Sequence, residues 1–132
     1  MLRGFLTKWL GNRGERKAAR FLRKQGYRIL ARQYKNRIGE IDLIARDGEF
    51  TVFVEVKTRQ SAAAGLPVEA VDSHKQRKLT QTALAYLKRR GMLETRCRFD
   101  VVSIIWPKDS KVPEITHYKN AFPAVGVGQM YS

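Results

Sequence analysis

Cysteine, acidic residues and long apolar runs are all scarce in this sequence. It has one cysteine, Cys97, and 12 acidic residues against 26 lysines and arginines. A single cysteine excludes an internal disulfide and suits a reducing compartment such as the cytoplasm. No apolar run approaches the length of a membrane span, and Met1 to Leu10 lack the continuous apolar segment of a signal peptide. The sequence therefore predicts a cytoplasmic protein without a membrane partner.

The excess of positive charge is the most informative bulk property. The formal net charge is +14 over 132 residues, and 43% of the residues are hydrophobic. That length and composition are those of one globular domain. So basic a domain favours nucleic acid as its partner. A solubilising surface, a ribosome-associated protein and a membrane-surface protein are the alternatives.

The centre of the chain, Ile38 to Arg59, has the pattern of a β-hairpin. Two apolar-rich runs flank Asp47-Gly48, and an Asp-Gly pair in this setting is a strong signal for a two-residue turn. A turn centred there would place Glu40 opposite Glu55. Side chains alternate along each strand, so the two faces of the hairpin can be assigned.

The hairpin has one apolar face and one charged face. The apolar face carries Ile41, Leu43, Ala45, Val52, Val54 and Val56. The other face carries Ile38, Glu40, Asp42, Ile44, Phe53, Glu55 and Lys57. Like charges across a strand pair are destabilising. A divalent cation prefers carboxylate oxygens and would offset their repulsion, so the charged face is a candidate cation site.

The remaining elements are predicted from helical and strand spacing. One helix is expected from Asn12, as N-cap, to Gln25, and a second from Asp72 or Ser73 to Arg90. Strands are expected at Tyr27 to Tyr34, at Arg96 to Trp106 and, as a short edge strand, at Glu114 to Tyr118. The order α-β-β-β-α-β-β predicts an α/β fold, with a central mixed β-sheet flanked by helices. The domain is expected to span residues 12–122, between a flexible N-terminal arm (1–11) and a flexible C-terminal tail (123–132), with a flap-like loop at Gln60 to Pro67.

Two polar residues on the inward faces of the helices have two interpretations each. Glu15 either supports the helix dipole and cap or delivers a carboxylate to the charged hairpin face. Gln76 is either a partly buried, hydrogen-bonded amide or a site residue. Asp100 is expected to pair with an arginine or a backbone amide. His74 and His117 lack the spacing of a zinc site or a catalytic triad.

The order of the charged motifs resembles that of a nuclease superfamily. Asp42 followed by Glu55-Val56-Lys57 resembles the PD-(D/E)xK signature of the restriction-endonuclease-like nucleases, with Ile41 where a proline is usual. Together with Gly14-Glu15, Lys75-Gln76 and Arg98 to Val102, these motifs resemble the YraN-like family, which is related to archaeal Holliday junction resolvases. The similarity covers roughly residues 11 to 122.

The resemblance implies a restriction-endonuclease-like fold and a metal-dependent site. Mg²⁺ or Mn²⁺ would be held by Asp42, Glu55, the Val56 carbonyl and, directly or through water, Glu15. Lys57 would orient or activate the attacking water, and Gln76 would help to position water or phosphate. Candidate contacts to a nucleic-acid backbone are Thr58, Arg59, Lys75, Arg37, Arg16 and Arg20. No small-molecule cofactor is expected.

The function predicted from this resemblance is metal-dependent hydrolysis of DNA phosphodiester bonds, with branched DNA among the substrates. A homodimer is implied by analogy with the resolvases. The alternative is a non-catalytic nucleic-acid-binding protein that keeps the nuclease fold. A weaker third possibility is a factor that binds RNA or the ribosome.

Overall fold

The fold is built on one sheet with a helix against each face. The computed structural model describes residues 2–61 and 71–124, with side chains from residue 12 onward. In chain order the elements are α1 (Leu2–Lys24), β1 (Arg28–Lys35), β2 (Glu40–Asp47), β3 (Phe50–Arg59), α2 (Ser73–Arg89), β4 (Cys97–Ile105) and β5 (Glu114–Phe122). This order confirms the predicted α/β fold. Among the described residues, no helix has the length and apolarity needed to cross a membrane.

The sheet is mixed, as predicted. Its five strands lie in the order β1-β2-β3-β4-β5. All neighbours are antiparallel except β3 and β4, which run parallel. Parallel neighbours need a long crossover connection, and α2 lies within it. The central strands β3 and β4 are accordingly buried on both faces.

Each face of the sheet has its own apolar core. The α1 side packs Ala18, Ala19, Leu22, Leu43, Ala45, Val52, Val54, Val102 and Ile104 together. The α2 side packs Ile41, Ile44, Phe53, Leu79, Ala83, Tyr86, Leu87, Phe99 and Val101 together. Burial of this apolar area on both sides fixes the register of the strands, because a one-residue slip would exchange the two faces.

The first helix begins earlier than predicted. It starts at Leu2, so Asn12 lies inside the helix and the predicted N-cap is wrong. An internal Asn or Gly costs only about 0.7–1 kcal/mol, too little to end a helix that packs on a sheet. The Asn12 side chain instead accepts a hydrogen bond from Gln33 Nε2 at 2.7 Å. The predicted flexible tail from residue 125 onward and the predicted flap from residue 62 onward lie outside the described residues.

The residues at which the two helices begin and end are as predicted at three of the four helix ends. Gly26 follows α1 with a φ of +95°, and Gly91 follows α2 with a φ of +66°. Glycine adopts this left-handed conformation without steric cost. The Asp72 carboxylate accepts a hydrogen bond from the Lys75 N–H at 2.9 Å and caps α2.

The hairpin turn lies one residue later than predicted. Asp47 pairs with Phe50, so Gly48 and Glu49 are the central residues. Only the first of them has positive φ, as a type II′ turn requires. The register moves by two residues, so that Arg46 pairs with Thr51. A two-residue shift preserves the assignment of side chains to faces.

Two residues of β2 differ from the predicted pairing and faces. Glu40 pairs with Lys35 of β1, and not with Glu55 as predicted. Ile41 packs in the α2-side core, although the alternation predicted it beside Leu43. The pairing of β2 with β3 ends at Leu43 opposite Val54. Asp42 therefore lies where β2 separates from β3 and strict alternation is lost.

The fifth strand is longer than predicted. It runs from Glu114 to Phe122, whereas the sequence indicated a short edge strand ending at Tyr118. Its register against β4 shifts between Phe99 and Val101. Asn120 adopts a φ of +51° in this region, so the extra length includes an irregular segment with no simple strand pattern.

Candidate active site

The structure brings Asp42 and Glu55 together. The Val56 N–H donates a hydrogen bond of 2.8 Å to Asp42 Oδ2, so the Asp42 carboxylate reaches across to β3. Burial and the neighbouring Glu55 carboxylate raise the pKa of Asp42 to about 7. Burial and a neighbouring like charge both disfavour the ionised form of a carboxyl group, and pKa shifts with these causes are frequent at functional sites.

Two lysines face the Glu55 carboxylate. The Lys75 ammonium forms an ion pair with Glu55 Oε2, and Lys57 Nζ lies 3.6 Å from the same oxygen. Burial and the adjacent Lys75 ammonium lower the pKa of Lys57. Burial acts in the same direction on Lys75, but its hydrogen bond to Glu55 and the Glu55 charge raise the pKa of Lys75 overall. Lys57 is thus the lysine nearer to the neutral, proton-accepting form.

These groups open into a groove beside the first turns of α2. The groove has a volume of about 470 Å³ and is lined by Gly39, Glu40, Asp42, Glu55, Val56, Lys75, Lys78 and Leu79. Its walls carry carboxylates from the strands and ammonium groups from α2. A ligand that enters it meets both signs of charge.

Glu15 lies close to this pair without joining it. It is 5% exposed, and its Oε1 has no hydrogen-bond partner among the described residues. Burial raises the pKa of Glu15, against the lowering effects of Arg32 and of a hydrogen bond from Gln33. Its charge also adds slightly to the raised pKa of Asp42. Across the described ranges, no three Asp, Glu, His or Cys side chains form a group able to hold a metal ion.

The donor set nevertheless suits a hard divalent cation. Mg²⁺ in proteins is usually bound through one or two carboxylates and keeps several water ligands. Asp42 and Glu55 supply two such carboxylates, and Val56 of the predicted ligand set contributes its N–H to Asp42. The unpartnered Glu15 oxygen is a further acceptor nearby, in a polar pocket that it shares with Asn12, Arg16, Arg32 and Gln33.

Gln76 is engaged with the backbone. Its Nε2 donates a hydrogen bond of 2.8 Å to the Val71 carbonyl, and it is not among the described residues that line the groove. This contact ties the segment that enters α2 to the first turn of the helix. It corresponds to the structural interpretation of this amide, and its predicted role in positioning water stays a prediction.

The candidate nucleic-acid contacts fall at separate places. Thr58 packs against Gly14 of α1, Arg59 ends β3, and Arg37 is exposed in the turn before β2. Arg16 and Arg20 lie on the α1 side of the sheet. There they help to form a second concave surface of about 450 Å³, which we call the arginine groove, lined by Arg13, Arg16, Lys17, Ala19, Arg20, Arg23 and Arg32.

The ion pair between Lys75 and Glu55 was not predicted. Lys75 was expected to contact a nucleic-acid backbone, whereas here it neutralises the central carboxylate. The sequence carries a signal for the orientation of Lys75, although not for its partner. Lys75 precedes the buried Leu79 by four residues, so the helix turns both towards the sheet.

A second buried charge cluster lies on the α1 side, away from the carboxylate pair. Asp100 accepts hydrogen bonds from Arg98 Nε at 3.0 Å and from the Asn120 N–H at 2.9 Å, as predicted for a structural carboxylate. His117 Nε2 lies 2.7 Å from the other oxygen of Asp100. No spacing signal in the sequence points to this histidine, because the contact depends on the pairing of β4 with β5.

The fold is a mixed sheet with a helix on each face, and an acidic pair with a lysine lies towards the end of β3. Together these features define an α/β protein of the restriction-endonuclease-like class. A model of the family described as uncharacterised protein family UPF0102 matches residues 14–104. This chain belongs to that family, which confirms the resemblance to the YraN-like proteins.

Relatives of high similarity come from several bacteria. The UPF0102 protein RB9115 of Rhodopirellula baltica is 47% identical over 125 residues, which cover 92% of this chain and 75% of that protein. The UPF0102 protein GSU0650 of Geobacter sulfurreducens is 50% identical over 117 residues, 88% of this chain and 90% of that protein. A UPF0102 protein of Pelotomaculum thermopropionicum is 42% identical over 115 residues, 87% of this chain and 96% of that protein. These names identify a family and no activity.

Proposed function

We propose that this protein is a metal-dependent endonuclease that hydrolyses DNA phosphodiester bonds. The observation that carries the proposal is the pair of carboxylates, Asp42 and Glu55, at one open groove, with Lys57 Nζ 3.6 Å from Glu55 Oε2. Two adjacent carboxylates with a lysine of lowered pKa form a combination suited to phosphodiester hydrolysis.

Each of these residues has a defined role in the proposal. Asp42 and Glu55 would hold Mg²⁺ or Mn²⁺, with the Val56 carbonyl and Glu15 as further donors. The bound ion would supply Lewis-acid polarisation of the scissile phosphate. Lys57 would orient the attacking water, and burial and the adjacent Lys75 ammonium shift its pKa in the direction that favours a proton acceptor. The Val56 N–H keeps the Asp42 carboxylate oriented.

The positive charge outside the groove supports DNA as the substrate. The arginine groove and the basic first turns of α2 lie on opposite sides of the sheet. Such surfaces contact phosphates and position a nucleic acid without reading its sequence. Within this proposal, branched DNA is the preferred substrate, and a homodimer would cut it at paired positions.

The proposal is tested by cleavage of labelled four-way junction, flap, duplex and single-stranded DNA, and of RNA, with Mg²⁺ or Mn²⁺. Asp42→Ala, Glu55→Ala and Lys57→Ala should each lower the cleavage rate by roughly a hundredfold or more while DNA binding persists. Glu49→Ala is the matched control, because Glu49 is an exposed carboxylate on the hairpin turn. Equal cleavage by Glu55→Ala and the control would contradict the proposed site.

A second candidate function is non-catalytic binding of nucleic acid. The ion pair between Lys75 and Glu55 favours it, since it neutralises one carboxylate without any metal ion. A pure binder would cut none of the substrates with either metal ion. Its affinity would fall steeply with salt and would be unchanged by Asp42→Ala.

A further inference from the structure

Lys75 occupies a distinctive position relative to the carboxylate pair. Its backbone is fixed in the first turn of α2, where its N–H donates to the Asp72 carboxylate at 2.9 Å. Its side chain extends into the groove and pairs with Glu55 Oε2. Lys78, three residues further along the same helix, lines the same groove, and the ion pairs of Glu55 among the described residues involve Lys57 and Lys75 instead.

The Glu55 carboxylate is already shared between two cations. Its side chain is only 9% exposed, and Lys57 and Lys75 both lie at Oε2. With both carboxylates ionised, the local charges of Asp42, Glu55, Lys57 and Lys75 sum to zero. A divalent ion that binds Glu55 therefore meets the repulsion of both ammonium groups at short range, and at Oε2 it competes with them directly.

Of the two lysines, Lys75 is the one able to leave. Its side chain is 39% exposed, against 26% for Lys57, and its ammonium opens towards the groove. A lysine stem is flexible, so the ammonium can move into solvent while the helix stays in place. Lys57 lies within β3, opposite Ser103 of β4, and its side chain is the less exposed of the two.

We propose that Lys75 is a built-in counter-ion of the carboxylate pair, which a divalent cation displaces from Glu55 when it binds. Lys75 in this view is a positioning residue that sets the affinity of the site for the ion. This inference rests on the proposed function in one respect, namely that the ion which binds the carboxylate pair is a divalent metal cation. It assigns to Lys75 a role at Glu55 in addition to any contact with a nucleic-acid backbone.

The direct test is titration of the intact, DNA-free protein with Mn²⁺ by isothermal calorimetry. Lys75→Met keeps the length of the side chain and removes the competing charge, so it should bind Mn²⁺ roughly tenfold more tightly than wild type, as expected when a competing charge-assisted hydrogen bond is removed. Lys78→Met removes an equal charge from the same groove and should change the affinity by no more than about twofold. Lys75→Arg keeps the charge and should bind no more tightly than wild type.

Thermal unfolding gives a second readout that separates this role from a merely structural one. Without metal, Lys75→Met should unfold at a lower temperature than wild type, because the buried Glu55 loses its closest partner. Saturating Mn²⁺ should remove that deficit, since binding stabilises the folded state in proportion to its affinity. A purely structural lysine would leave the deficit unchanged by Mn²⁺.

The outcomes separate this inference from the proposed nuclease. Equal Mn²⁺ affinity in wild type and Lys75→Met would overturn the counter-ion role and leave the nuclease proposal standing. Tighter binding by Lys75→Met with no cleavage of any substrate would support the counter-ion role and overturn the nuclease. Absence of Mn²⁺ binding in both folded proteins would overturn the counter-ion role together with the metal requirement.

Discussion

Two aspartates, the buried Asp100 and the partly buried Asp42, show how environment separates a structural carboxylate from a reactive one. Burial alone would raise the pKa of Asp100, but hydrogen bonds from His117, Asn120 and Arg98 outweigh it and lower the pKa. Burial and Glu55 instead raise the pKa of Asp42 from 3.8 to about 7. The charged form of Asp100 therefore stabilises the fold. For Asp42 the neutral form is the favourable one, and its contribution to stability is lost as the pH rises towards 7 and the carboxyl group ionises.

At this scale we predict that Asp100→Ala destabilises the protein strongly. The change leaves Arg98, whose side chain is 11% exposed, as a buried charge without its main partner. Removal of one member of a buried ion pair typically lowers the free energy of unfolding by about 3 kcal/mol. Urea denaturation of both proteins at neutral pH measures the difference. Asp109→Ala is the control, because Asp109 is exposed in the turn after β4.

The same pair of proteins gives a pH dependence with a definite sign. The folded-state pKa of Asp100 lies below its ordinary value of 3.8, so its contribution is complete above that value. It is lost as the pH falls through the lower, folded-state pKa. The stability difference between wild type and Asp100→Ala should therefore shrink in acid. A difference that grows as the pH falls would contradict the assigned direction.

At the scale of the elements, α1 and β3 approach each other closely at Gly14, where a larger residue would meet Thr58. A Cβ atom on Gly14 would lie 2.1 Å from Thr58 Oγ1. Thr58 is β-branched, so its side chain has little freedom to turn away. We predict that Gly14→Ala lowers the free energy of unfolding by about 1–3 kcal/mol, although alanine is the better helix former.

The rescue experiment uses the partner strand. In Thr58→Ala the nearest remaining side-chain atom is Cβ, 3.3 Å from the added Cβ, which a small adjustment accommodates. Gly14→Ala in that background should be neutral or stabilising. Denaturation of the two single variants and the double variant completes the cycle. If Gly14→Ala destabilised the protein equally in both backgrounds, a clash with the Thr58 side chain would be excluded as the cause.

Most elements and the acidic pair were predictable because they follow from periodicity and caps. Asp72 and Gly91 bound α2 as expected, and the opposite faces of the hairpin follow from alternation. The start of α1 was not predictable, since packing on the sheet outweighs weak breakers such as Asn12. The face of Ile41 depends on where β2 leaves β3, which tertiary pairing decides.

The contacts of the site were less predictable than its residues. Lys75 meets Glu55 only because the connection between β3 and α2 returns the helix to the end of the strand. His117 meets Asp100 only because β5 pairs with β4. Long-range pairings of this kind leave no periodic pattern in a single sequence. Helical or strand spacing can therefore indicate that a charged residue is buried, but it does not identify the residue with which it pairs.

On the scale of the whole molecule, the net charge of +14 is expected to act mainly through one surface. We predict that the arginine groove carries a large share of DNA affinity. Arg16→Glu with Arg20→Glu should weaken binding to any DNA by roughly tenfold or more at low salt. The slope of log affinity against log salt should also fall, by about one for each phosphate that the variant no longer binds. Fluorescence anisotropy with a labelled duplex over a salt series measures both.

The matched control alters net charge equally at a distant place. Lys108→Glu with Lys111→Glu changes residues of the turn between β4 and β5. Equal weakening in the two double variants would mean that total charge, and not the groove, determines the affinity. Unchanged binding in the groove variant would exclude this surface from DNA contact.

The buried Cys97 has a practical consequence for such measurements. Burial raises the pKa of its thiol to about 11, so maleimide dyes should react with it slowly at neutral pH. Glu49→Cys, on the exposed hairpin turn, would then be the preferred attachment point for a fluorophore. That turn joins β2 and β3 at the end away from Glu55, so the dye would report on tumbling and assembly of the molecule without entering the groove.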